Sequence, residues 1–106
     1  MNVLVVVDWI DDSTTLSYQN VYRGVNKSKI EDMVFVKKVD PSIRTLADSV
    51  PDNIKDGDTI YYIVEAVGEF GDGVERKELS EPYPVKITLD HQVPYNYYNS
   101  MDKTQQ

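Results

Sequence analysis

From residue 3 to residue 10 the chain alternates, with Val3, Val5, Val7 and Trp9 on one side and Leu4, Val6 and Asp8 on the other. Successive side chains of a β-strand point to opposite faces, so this pattern buries one row and leaves the other near solvent. A helix would scatter the same residues around its circumference. Further stretches rich in β-branched and aromatic residues lie at 16–23, 33–39, 59–67 and 83–89, with a weaker one at 43–48. Each is bounded by turn residues such as Gly24, Asp40-Pro41-Ser42 and Asp56-Gly57, and none keeps a helical period over three turns. The chain therefore reads as all-β. The stretch at 59–67 places Ile60, Tyr62, Val64 and Ala66 on one face and is predicted to be central. The predicted core is Trp9, Val21, Ile54, Tyr62, Val64, Ala66, Val85 and Ile87.

With 106 residues and no cysteine, one small domain must hold itself by burial and backbone hydrogen bonding, without disulfides or thiolate metal sites. The predicted domain covers residues 1–89. Residues 90–106, with Tyr95, Tyr97 and Tyr98, have no apolar period and read as a polar tail. A net charge of -7 repels phosphate backbones and anionic membranes, so neither nucleic acid nor a membrane is an expected partner. The apolar run at 3–7 lacks a basic flank and stops at Asp8, too short for a signal peptide or a membrane span. The expectation is a protein made in soluble form in the cytoplasm. The sequon Asn26-Lys27-Ser28 is then of no consequence.

No constellation suggests catalysis. His91, the single histidine, stands at the start of the polar tail, where it serves neither a nucleophile nor a zinc ion. The stretch from Asp52 to Asp58 has Gly57 at the position a calcium loop needs, but Ile54 occupies a ligand position and Ile63 stands where the bidentate glutamate belongs. It reads as a turn. Asp8, Asp11 and Asp12 read as solvated residues at a strand end, and Gly68, Gly71 and Gly73 as a hairpin loop without the lysine of a phosphate-binding loop. No enzyme activity, cofactor or metal is expected.

The passage Ile54-Lys55-Asp56-Gly57-Asp58-Thr59-Ile60-Tyr61-Tyr62-Ile63-Val64-Glu65-Ala66-Val67 resembles the E-to-F region of fibronectin type III domains. Residues 5–9 are similar to that family's strand B with its core tryptophan, Val21-Tyr22-Arg23-Gly24 to strand C, and Ser80-Glu81-Pro82 to the opening of strand G. The resemblance implies a fibronectin type III or immunoglobulin-like β-sandwich over residues 3–89. It departs from the family in two places. Ile60 stands where the family has a corner tyrosine, so Tyr61 or Tyr62 must take over that contact or it is lost. Strand B also begins at Val3, which leaves the family's strand A without a counterpart. The edge at 3–7 is then open, and strand addition from another chain is the expected way to fill it. The tail is the less favoured donor, because few apolar residues alternate beyond Val93, Tyr95 and Tyr97.

In this register Leu4 and Val6 face outward on one sheet, and Tyr22, Tyr61 and Ile63 face outward on the other. With Tyr95, Tyr97 and Tyr98 they are the candidate contact residues. Free-standing domains of this type are familiar in tailed bacteriophage particles. The resemblance thus implies a structural virion protein (a capsid, neck or tail decoration or attachment module) bound to other virion proteins or to copies of itself. The alternatives are a carbohydrate- or host-receptor-binding module that uses the loops at 11–15 and 68–78, and an accessory domain of a larger enzyme.

Overall fold

The computed structural model describes residues 3–10, 16–50, 54–69, 73–88 and 96–102, the last segment as backbone. These residues form two sheets around one core. The first sheet has the order β4-β1-β8, where β1 is Val3–Ile10, β4 is Thr45–Val50 and β8 is Asn96–Asp102. The second has the order β3-β2-β5-β6, from β2 (Leu16–Val25), β3 (Val34–Val39), β5 (Thr59–Glu69) and β6 (Glu75–Leu79). β7 (Tyr83–Lys86) also pairs with β5, beyond the end of β6. A short 3-10 turn, Ile30–Asp32, links β2 to β3.

The alternation in β1 does what the sequence requires of it: Val3, Val5, Val7 and Trp9 are buried, while Leu4 and Ile10 are exposed. They pack against Val21, Ile60, Tyr62, Val64, Val85 and Ile87 from the other sheet, with Val39, Leu46 and Val50 closing the sides. Ala66 is buried in β5, and Ile54 packs on the cluster from its margin. The eight residues predicted for the core all lie in it or against it.

Three elements differ from the sequence reading. β5 runs on to Glu69, and part of the expected hairpin loop, Glu75–Leu79, is a strand paired with it. The segment Glu-Arg-Lys-Glu-Leu has no alternation because neither of its faces is covered. Its backbone pairing alone makes it a strand. Ser80 then carries the chain from β6 to β7: its N–H donates to the Val64 carbonyl (2.9 Å) and its hydroxyl accepts from the Val64 N–H (2.9 Å). β5 therefore keeps its hydrogen bonds across the bend.

The third difference is at β1. Its flank is not an open edge, because β8 lies along it in parallel register from Leu4↔Asn96 to Ile10↔Asp102. Strand addition there by another chain was expected; instead the chain's own residues occupy the position, and 96–102 of the expected tail is strand. β7 ends opposite Thr59, close to the end of the sandwich where Val25, Val50 and Ile54 meet, and β1 starts there opposite Val50. β7 thus ends at the same end of the sandwich at which β8 begins opposite Leu4.

At the same end Asn26, in the left-handed region at φ 58°, joins β2 to the start of β5. Its N–H donates to the Thr59 carbonyl (2.7 Å), its Oδ1 accepts from the Thr59 N–H (2.9 Å) and its Nδ2 donates to Asp58 (3.0 Å). The sequon amide is thus engaged within the fold. Gly24 is fixed by contact: a Cβ there would stand 2.2 Å from the Lys27 carbonyl oxygen.

Candidate functional site

Buried polar side chains tie the two sheets together. Trp9 Nε1–H donates to Gln19 Oε1 (2.9 Å), and Gln19 Nε2 donates to the carbonyls of Asp40 (2.9 Å) and Ile43 (2.8 Å). One fully buried amide thus holds both the core tryptophan and the turn between β3 and β4. Deeper along β2, Arg23 Nη1 donates to both carboxylate oxygens of Asp48 (2.7 and 2.9 Å), and the Tyr62 hydroxyl donates to Oδ2 (2.7 Å). Burial, then the Asp48 charge and the hydrogen bond to it, push the Tyr62 phenol far above its ordinary range. Tyr62, one of the two tyrosines expected to replace the corner contact, therefore bonds across the sandwich to a side chain on β4. These groups satisfy one another, and only Arg23 also borders a groove, so their work is structural.

Contact chemistry is concentrated on the outer face of the five-stranded sheet. Tyr22 and Phe35 are cross-strand neighbours, packed edge to face with ring centroids 5.8 Å apart at 73°. Lys38 Nζ stands 4.2 Å from the centre of the Tyr18 ring. Between them Glu65 accepts hydrogen bonds from Asn20 Nδ2 (2.9 Å) and the Tyr22 hydroxyl (3.3 Å). Partial burial, followed by the Glu65 charge, raises the Tyr22 pKa. Ile63 and Val67 of β5 lie opposite Tyr22 and Tyr18 and are buried.

The β3 edge extends this face. Phe35 (55%) and Val34 (53%) are among the most exposed large apolar residues described, next to Lys37 and Lys38. Two grooves follow the seam between β3 and the neighbouring sheet. One of about 270 Å³ is lined by Arg23, Lys27, Val34, Val50 and Ile54, and one of about 580 Å³ by Lys37, Lys38, Ile43, Leu46 and Ala47. The charge along this edge runs against that of the whole chain. Residues 23–44 hold six of the eleven Lys and Arg with three acids, a net of +3, which leaves -10 for the rest of a chain of net -7.

The predicted contact residues do not form one site. Leu4 is exposed and Val6 half-buried on the outer face of the three-stranded sheet. Tyr22 and Tyr61 are half-buried on the five-stranded sheet, on the far side of the core. Ile63, expected to be exposed, is only 4% accessible beside its cross-strand partner Tyr22, so it is part of the packed sheet and not a contact residue. Tyr97 and Tyr98 lie in β8, opposite Val5 and Val6, while Tyr95, His91, Asp11 and Asp12 fall outside the described residues. Phe35, Val34 and Tyr18 went unnoticed in the sequence, although Val34 and Phe35 stand in a predicted strand that also carries Lys37 and Lys38.

Among the described residues, no three His, Cys, Asp or Glu side chains come together as a metal-ligand set, and no helix is long and apolar enough to cross a membrane. Comparison with family models, curated proteins and solved structures gives no match to this chain.

Proposed function

We propose that this chain is a non-enzymatic interaction module that attaches to a larger protein assembly through the Tyr22–Phe35 face and the β3 edge. The observation that carries this reading is the exposed ring of Phe35, packed edge to face on Tyr22, with Lys38 over Tyr18 on the same face and Val34 exposed at the groove side of the edge. An aromatic anchor with a charged rim is the anatomy of a protein contact. The fibronectin type III-like segments support a virion component of a tailed phage, a capsid, neck or tail decoration or attachment protein, as the setting. The test is copurification with intact particles at fixed stoichiometry. Phe35→Ala, which removes an exposed ring and leaves the core alone, should abolish the attachment while the folded state persists. Attachment undiminished in that variant would refute this face as the site.

A second reading rests on the same face. Tyr18 and Tyr22 flank Asn20 and Glu65, which combines ring faces with amide and carboxylate groups suited to a glycan. Glycan-array binding by the isolated protein, lost in Tyr18→Ala, would favour this carbohydrate-binding module over the virion component.

A further inference from the structure

At the centre of the outer face of the five-stranded sheet stands a carboxylate whose charge the fold does not use. Glu65 is half-buried on β5 between Ile63 and Val67, which share its face and are themselves buried. Its cross-strand partners are Asn20 on β2 and Leu79 on β6, and Tyr18 and Tyr22 stand on either side of Asn20. The hydrogen bonds from Asn20 Nδ2 and the Tyr22 hydroxyl both end on Oε1, so a neutral amide oxygen would accept them equally well. Oε2 accepts none from the described residues. No lysine or arginine among those residues pairs with this carboxylate: Lys38, the β3 partner of Asn20, sits over the Tyr18 ring instead, and Lys77 lies diagonal to Glu65 on β6. We propose that Glu65 receives an arginine side chain of a partner protein, presented between apolar residues. This rests on the interaction-module reading and deepens it: Phe35 supplies the anchor, and Glu65 supplies the charge that selects the partner.

Charge and surroundings select this occupant. A half-buried carboxylate among apolar side chains is poorly screened, so a cation gains more from it than from a fully solvated one. A guanidinium suits the place better than an ammonium, because it is planar and weakly hydrated and can donate to Oε2 while lying against a tyrosine ring. The edge-to-face contact with Phe35 holds the Tyr22 ring in position beside Glu65. Phe35 and Leu79, exposed on opposite sides of the carboxylate, offer apolar surface to the residues that flank the arginine. Their burial on docking would exclude water from the ion pair. A neutral sugar fits less well: it brings no charge to the carboxylate, the Tyr18 ring already carries Lys38, and the Tyr22 ring is in contact with Phe35. The bland explanation is that Lys77 or Lys38 swings onto Glu65 in solution and neutralises it, in which case an added arginine gains nothing.

Nuclear magnetic resonance titration of the nitrogen-15-labelled full chain separates these cases. The probe is the peptide acetyl-Leu-Arg-Leu-amide, and its control is the same peptide with citrulline, the neutral isostere of arginine. The arginine peptide should shift the amides of residues 18–22 and 63–67 saturably, and the citrulline peptide should bind about fivefold more weakly. E65Q keeps both internal hydrogen bonds and should weaken the arginine peptide by about the same factor while leaving the citrulline peptide unaffected. The spectrum of E65Q shows directly whether it is folded, and the comparison of the two peptides on the unaltered chain needs no variant. An absence of saturable shifts at these amides, equal affinity for the two peptides, or undiminished binding to a folded E65Q overturns the proposal. Shifts of the same amides by maltose but not by the arginine peptide overturn it in favour of a glycan. Particle attachment distinguishes this inference from the reading it rests on: attachment lost in Phe35→Ala but unchanged in E65Q keeps the interaction module and removes the arginine.

Discussion

Replacing Asp48 by Asn should cost more stability than any other single-atom exchange in the described residues. Asp48 is 4% exposed and sits on β4, and its carboxylate faces Arg23 and Tyr62 from the other sheet. The amide keeps the shape and one acceptor, but its NH₂ group meets the Arg23 guanidinium donor to donor, and the buried cation loses its counter-charge. Breaking a buried, hydrogen-bonded ion pair from one side costs about 3–5 kcal/mol. For a chain of this size, at about 5 °C per kcal/mol, the melting temperature should fall by roughly 15–25 °C. Trp9, the single tryptophan and itself buried, reports unfolding in urea without added probes. Arg23→Met should cost a similar amount by stranding the carboxylate. The triple variant R23M/D48L/Y62F, with no polar group left to satisfy, should recover most of the loss. If Asp48→Asn loses less than about 1 kcal/mol, or the triple variant is the least stable of the set, the cluster does not hold the sheets together as argued.

The raised pKa of Tyr62 makes stability fall on the alkaline side. Its phenol keeps its proton in the fold where the unfolded chain releases it, so this contribution is complete below pH 10 and declines above it by about 1.4 kcal/mol per pH unit. Urea midpoints at pH 9, 10 and 11 should show this, and Tyr62→Phe should flatten the decline. Gly24→Ala drives a methyl group into the Lys27 backbone carbonyl and should destabilise by about 2–3 kcal/mol in the same urea assay. Deleting residues 91–106 removes β8, so hydrogen exchange should show lost protection at alternate amides of β1 while those of β5 keep theirs. Equal protection of β1 in both forms would rule out the parallel pairing.

The strands whose side chains alternate between core and solvent were legible in the sequence. β1 shows this best, since burial of one face writes the alternation into the residues, whereas β5, buried on both faces over much of its length, was legible as a run of β-branched and aromatic residues. β6 was not legible for the opposite reason: a strand exposed on both faces and held by main-chain hydrogen bonds to β5 places no demand on its composition. The Arg23–Asp48–Tyr62 cluster left a signal that went unread. Gln19, Val21, Arg23 and Val25 fall at alternate positions of β2, and Leu46, Asp48 and Val50 at alternate positions of β4. A glutamine, an arginine and an aspartate in inward register must either find partners across the core or flip the register. The outer face was legible only in part. Tyr22 and Tyr61 follow from the alternation, but the exposure of Phe35 depends on β3 being the last strand of its sheet, which no local pattern encodes.

The parallel pairing of β8 with β1 also sets a clock. Leu4 and its partner Asn96 are 92 positions apart, and every other described strand is synthesised between them. At a translation rate of roughly 5–20 residues per second, the flank of β1 waits about 5–18 s for the strand that covers it. During that interval the rest of the sandwich can already be assembled, with β1 paired to β4 on one side only. A chain emerging nearby on the same messenger passes through the same interval, and its β8 is as good a match as the chain's own. Spacing between ribosomes, rather than any residue in the interface, would then decide how often two copies leave synthesis with their β8 strands exchanged.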